Sequence, residues 1–571
     1  MASNPSTLLI IYLFLLLFFS LSLADDFATS LFSSTLDPIC KFTPHPDFCK
    51  ANLPGNKPGT VHDYGRYSVH QSLSVARKFQ SLVDHYRKLP STSYLSTIRA
   101  LEDCSLLAGM NVDSLSHASN TINSTNTLHS LQADDLHTLL SALLTNQQTC
   151  LDGLLETASA SRITQALLAP LQNGAKFYSV SLALVIHGWF SGIKGGRWLT
   201  ERKHLLSNTR PGINGDHLPL KMSSRDRRIY ESVTGRKLLQ ANDDQFVENV
   251  SVDQMVVVNP NGTADYTTIS DAVAAAPNST DRSSNGYYLI YVAAGVYEEY
   301  VSIPKQKKNL MMIGAGKGLT VITGNRSYVD GWTTFNTATF AVVGQGFVAV
   351  NITFRNTAGP TKHQAVAVRN GADKSTFYSC SFEGYQDTLY AHSLRQFYRG
   401  CDIYGTIDFI FGNAAVVFQN CNMYPRRPLD NQFNAITAQG RTDPNQNTGI
   451  SIHNCTIKAA DDLANSINAT QTYLGRPWKE YSRTVYMQSF MDSLIDPAGW
   501  KEWSGDFALN TTYYAEFSNT GPGSDTTNRV TWPGYHVIND TDAECFTVSS
   551  FIEGDAWLPE TGVPFDGDLL S

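Results

Sequence analysis

Ser379-Cys380-Ser381-Phe382, Gly400-Cys401-Asp402-Ile403 and Asn420-Cys421-Asn422-Met423 are versions of one short strand, and their cysteines stand 21 and 20 residues apart. Asn351-Ile352-Thr353-Phe354 before them and Asn454-Cys455-Thr456-Ile457 after them follow the same small-apolar-polar-apolar pattern. A period near twenty residues predicts one coil of a parallel β-helix, in which equivalent residues stack about 4.8 Å apart without a helical crossover. From Met255 onward the texture agrees: β-branched and aromatic runs are broken by Gly, Asn and Asp. The register makes Cys401 and Cys421 adjacent rungs, close enough for a disulfide. Cys380 and Cys455 read as buried thiols, and Cys545 has no evident partner.

The same register aligns polar groups that a core would reject. Asp387 follows Cys380 by seven residues and Asp408 follows Cys401 by seven, so the two carboxylates should stack on one face. Gln386 precedes Asp387, and Gln364 lies 22 residues before Gln386. Two stacked carboxylates do not both ionise cheaply, so one should hold a proton while the other stays charged. The charged one can attack an acyl carbon, the neutral one can protonate a leaving oxygen, and two amides can hold an oxyanion. Stacked Asp and Asn ladders also serve purely structural ends in β-solenoids.

Five segments then decide between these readings. Gly295-Val296-Tyr297-Glu298-Glu299, Gln364-Ala365-Val366-Ala367-Val368, Gln386-Asp387-Thr388-Leu389, Asp408-Phe409-Ile410-Phe411-Gly412 and Leu474-Gly475-Arg476-Pro477-Trp478 occur in that order. They resemble the signature segments of plant pectin methylesterases, over roughly residues 250 to 565. The resemblance implies a right-handed parallel β-helix, with Asp408 as nucleophile, Asp387 as general acid and then base, and Gln364 and Gln386 as oxyanion donors. Arg476 would hold the Asp408 carboxylate by charge-assisted hydrogen bonds. It further implies substrate contacts from Trp478, Phe335, Tyr390, Phe411, Trp500 and Thr334. The implied substrate is methylated homogalacturonan, and no metal or cofactor is called for. Ala315 stands where the family often has Asp, and the Gly-rich run around it lacks the spacing of a phosphate loop.

Ahead of this half, residues 25 to about 190 carry apolar residues at helical spacing in four stretches, Val69 to Tyr86, Ser93 to Leu107, Thr127 to Leu155 and Arg162 to His187. A four-helix bundle is expected. Proximity pairs Cys40 with Cys49 and Cys104 with Cys150, with other pairings open. Four cysteines on four helices resemble the plant invertase and pectin methylesterase inhibitor family. Residues 191 to 249 read as a linker containing two basic tracts, Arg225-Asp226-Arg227-Arg228 and Arg236-Lys237-Leu238-Leu239, that look like sites for a processing protease.

Residues 1 to 239 hold 22 basic and 17 acidic groups and residues 240 to 571 hold 21 and 34, giving net charges of +5 and −13. An acidic C-terminal half argues against nucleic acid, and opposite signs suggest that a basic helical half docks on the acidic one. The apolar run Leu8 to Leu23 ends in Ser22-Leu23-Ala24, so residues 1 to 24 read as a signal peptide, with an uncleaved anchor as the alternative. Ten Asn-x-Ser/Thr sequons fit a secretory route to the cell wall, with no stable membrane association once the leader is removed. Two rival functions remain at this point: glycosidic cleavage by the carboxylate pair, as in a polygalacturonase, and pectin binding or inhibition without catalysis.

Overall fold

The computed structural model describes residues 36–55, 59–89, 95–158, 162–190, 218–235, 250–278, 286–466 and 470–570. The apolar leader, the tract from Arg236 to Leu239, and the sequons at Asn249 and Asn468 lie outside these residues. Among the described residues no helix is long and apolar enough to cross a membrane.

Two short helices, α1 (Leu36–Cys40) and α2 (Pro46–Asn52), lead into four long ones. These are α3 (Val61–Arg87), α4 (Leu95–Asn123), α5 (Ser130–Ala158) and α6 (Arg162–Trp189). Helix α3 begins at a capping box: Thr60 accepts from the Asp63 N–H, while the Asp63 carboxylate accepts from the Thr60 N–H. Val69, Leu73, Leu115, Leu140 and Leu182 meet inside the bundle, as their three-to-four spacing requires. Disulfides join Cys40 to Cys49 and Cys104 to Cys150, the second tying α4 to α5.

Among the described residues the C-terminal half, with one strand from ahead of it, winds into three parallel sheets of twelve, eight and seven strands, a β-helix of the expected kind. The register is the one the cysteines announce: Ser381 lies opposite Asp402, Asp402 opposite Asn422, and Asn422 opposite Thr456. Two residues before each of these paired strands the chain turns a corner at positive φ, at Asn351, Ser379, Gly400, Asn420 and Asn454. Asn and Gly suit that left-handed corner, since a Cβ with a bulky side chain is penalised there. Inside, rings stack from coil to coil: Phe377 on Tyr398 at 5.1 Å between centroids, and Tyr398 on Phe418 at 4.6 Å.

Two expectations are corrected here. Cys401 and Cys421 form no disulfide; both are free and buried, as are Cys380 and Cys455. In-register parallel rungs hold equivalent Cβ atoms about 4.8 Å apart, beyond the usual disulfide span of about 3.8 Å. Each thiol donates instead toward a backbone carbonyl, Cys401 to Phe377 and Cys421 to Tyr398. The second correction concerns Arg225 to Arg228, read as a tract within a linker. They lie in a helix, Ser224–Thr234, where Arg227 pairs with Glu231. That helix follows a short strand, Leu220–Lys221, which runs parallel to Val250 and Ser251 and extends the largest sheet. Leu218, Leu220 and Tyr230 are buried there against the β-helix.

Candidate active site

Asp387 and Asp408 sit at equivalent points of successive coils, each two residues before a paired strand position, Leu389 opposite Ile410. Both adopt positive φ, 63° and 53°, which turns their side chains out of the strand path. They line one side of a cavity of about 260 Å³ together with Gln364, Gln386 and Arg476. Arg476 clamps Asp408 alone: its Nε donates to Oδ1 at 2.8 Å and its Nη2 to Oδ2 at 2.7 Å. The guanidinium face lies 4.1 Å from the Trp503 ring, which fixes its plane.

The two carboxyls are therefore unlike. Burial lifts Asp387 well above the usual carboxylate range, and the charges of Asp408 and Glu156 push the same way against Arg476. Burial also raises Asp408, but the two hydrogen bonds and the charge of Arg476 pull it back. The proton that the pair retains belongs on Asp387.

Aromatic rings surround the carboxyls. Tyr390 stacks on Phe411 at 4.2 Å, Trp478 meets Phe411 edge-on, and Phe335 meets Tyr390 edge-on. Trp478 fits because position 440 is glycine; a Cβ there would come within 2.9 Å of the indole. Trp500 is not among them, which corrects the sequence expectation. It is 1% exposed, stacked on Tyr514 in the β-helix core, and its N–H donates to Glu516. Trp503, three residues on, takes the place at the cavity, and no motif marked it.

The opposite wall comes from the helical domain. Thr149, Asp152, Gly153 and Glu156 of α5 complete the cavity, and Thr334 donates to the Glu156 carboxylate at 3.2 Å. Phe335, Tyr390 and Phe411 pack in one apolar cluster with Leu101, Leu107 and Leu154 of the bundle. Around this apolar centre lie hydrogen bonds from Asn413 to Thr145 and between Thr149 and His392, and ion pairs of Lys479 with Asp152 and Arg395 with Asp135. Burial and then Asp152 raise Glu156 to about 7; the residue lines the cavity and is exposed overall.

The polarity of this contact reverses the charge expectation. In each of those ion pairs, and in Lys305 with Asp113, the acid is on the helices and the base on the β-helix. The excess positive charge of the N-terminal half sits in the linker: residues 1 to 190 hold 11 basic and 13 acidic groups, residues 191 to 239 hold 11 and 4.

Comparison with known proteins gives two family matches, Pectinesterase over residues 255–555 and Plant invertase/pectin methylesterase inhibitor over residues 34–184. The chain is 58% identical over 550 residues to probable pectinesterase/pectinesterase inhibitor 41 of Arabidopsis thaliana, covering 94% of this chain and 95% of that one. It is 44% identical over 533 residues to pectinesterase 2 of Citrus sinensis, covering 93% and 94%. Among solved structures it is similar to pectin methylesterase from carrot, with 55% identity and a TM-score of 0.54 over 55% of this chain and 98% of that chain.

Proposed function

The chain belongs to the pectinesterase family, and from that premise we propose how its own groups remove methyl esters from pectin. Asp408 attacks the ester carbonyl carbon at C6 of a galacturonate unit, and Gln364 and Gln386 donate to the oxyanion that forms. As that intermediate collapses, the bond to the methoxyl oxygen breaks and Asp387 gives its proton to departing methanol. An acyl-enzyme anhydride on Asp408 remains. Asp387, now a base, takes a proton from water, whose oxygen attacks the acyl carbon; the bond to Asp408 breaks, the polymer leaves as an acid that gives its proton to solvent, and both aspartates are reset. The observation that carries this reading is the asymmetry of the pair, with Arg476 bound to Asp408 only.

Thr334, Phe335, Tyr390, Phe411 and Trp478 form the substrate groove, and in the uncut chain α5 walls it over. The precursor is therefore shut. The leader directs it to the cell wall, and a protease cutting near Gln240 begins its release; the helical state of Arg225 to Arg228 favours the second basic tract over the first.

Incubating the secreted, cut enzyme with highly methylated pectin tests the chemistry. Methanol should appear while chain length stays constant. New reducing ends would support the glycosidase reading instead, and binding without either product would support a non-catalytic role.

A further inference from the structure

Asp103 of α4 is 3% exposed and is held by the β-helix half: Thr333 donates to its Oδ2 at 2.5 Å, and the Asn336 amide donates to Oδ1. Beside it lies Arg369, 4% exposed, whose Nε donates to the Phe335 carbonyl at 2.9 Å and whose guanidinium lies 3.5 Å from the Phe335 ring. Its Nη1 has no hydrogen-bond partner. Asp103 is the charge that acts most strongly on it. Burial opposes the ionised form of Asp103, while the Thr333 hydrogen bond and the Arg369 charge favour it. Two neutral donors thus hold, and the charge of one guanidinium favours, a carboxyl that belongs to the docked domain and leaves with it.

We propose that Thr333, Asn336 and Arg369 form a carboxylate-binding subsite, which in the opened enzyme takes the free C6 carboxylate of a galacturonate unit next to the ester under attack. This rests on reading the chain as a pectin methylesterase. Placement supports it: Arg369 pairs with Tyr390, and Tyr390 with Phe411, so the subsite is one rung, about 4.8 Å, beyond the rings that line the catalytic cavity. Thr333 is the immediate neighbour of Thr334, which faces the cavity. The helices present two carboxyls to these neighbouring positions, Glu156 to Thr334 and Asp103 to Thr333 and Asn336, as two consecutive uronic acid units would. A methyl ester offers no charge to Arg369, whereas a carboxylate accepts charge-assisted bonds roughly twice as strong as neutral ones.

The test compares KM for fully methyl-esterified homogalacturonan with KM for the same polymer with about half its acids free, using enzyme already cut in the linker. Wild type should favour the acid-bearing polymer, and Arg369→Gln should cut that preference about tenfold, the size expected for a lost charged hydrogen bond, with kcat kept. Asn336→Ala, outside the strands, carries the test if the arginine variant does not accumulate. A wild type indifferent to free acids, or variants that raise both KM values alike, would overturn the subsite. Absence of methanol from either polymer would overturn the esterase reading itself, and the ligand assigned here with it.

Discussion

Asp408→Asn should abolish methanol release while pectin still binds, because the rings of the groove are untouched; turnover and polymer retention on the same preparation decide this. Near-normal release would exclude attack by Asp408 and leave a scheme in which Asp387 activates water. Gln364→Ala and Gln386→Ala should each lower kcat about 100- to 1,000-fold rather than abolish it, the usual cost of one oxyanion donor. The pH profile of kcat/KM should have an acidic limb where Asp408 must be ionised and an alkaline limb where Asp387 must keep its proton. Arg476 pulls Asp408 downward, so Arg476→Gln should move the acidic limb to higher pH. At this scale the repeat made much of the site legible, since two seven-residue offsets bring Asp387 and Asp408 together. It did not separate Trp500 from Trp503: Trp500 lies on a parallel bridge to Gly475 with its ring in the core, and Trp503 follows in a bend. Asp103 did leave a signal, a carboxyl on the apolar stripe Ala100, Leu101, Cys104 and Leu107.

Each coil of the β-helix repeats its neighbour, so the period of the sequence carried the element's identity while saying little about its edges. The strand Leu220–Lys221 and the helix after it went unread because a two-residue strand has no periodicity and the basic residues around it suggest a loop. The thiol ladder makes a direct prediction. In native protein a thiol reagent should modify exposed Cys545 at once and the four buried cysteines only on unfolding, without any change in mobility attributable to a Cys401–Cys421 bridge. Towards the C-terminal end of the β-helix, Arg529 donates to both oxygens of Glu516, each side chain 2% exposed. Arg529→Met would strand that carboxylate under Trp500 and Tyr535, which also donate to it. Removing one partner of such a pair costs about 3–5 kcal/mol, so thermal unfolding should begin well below that of wild type.

Docking of the helical domain joins an apolar centre to ion pairs that range from half exposed, Lys305 with Asp113, to largely buried, Lys479 with Asp152. Salt should therefore loosen the uncut chain only modestly, since it screens the exposed pairs and leaves the apolar contact. Protons should matter more. Burial raises Asp103 from 3.8 to about 7, so its contribution to docking is complete below pH 3.8 and is lost as pH rises through about 7. Burial lowers His137 and His392 from 6.5 to about 4 and about 3; their contribution is complete above 6.5 and lost on acidification. The two trends offset each other between about pH 4 and 6.5. Asp103→Asn removes one of them, so the uncut variant should leak less methanol than the wild-type precursor at pH 8, roughly tenfold or more, and differ little at pH 4. The strand Leu220–Lys221, lying on the N-terminal side of the expected cut, adds a last consequence. A cut between residues 236 and 249 leaves the N-terminal fragment holding the catalytic half by two handles, the docked bundle and this strand. Loss of one handle leaves the other to return it at high effective concentration, so departure needs both to let go together. The cut molecule should still elute as one particle when concentrated and separate on dilution: the protease sets whether the groove can open, and dilution into the wall sets how soon.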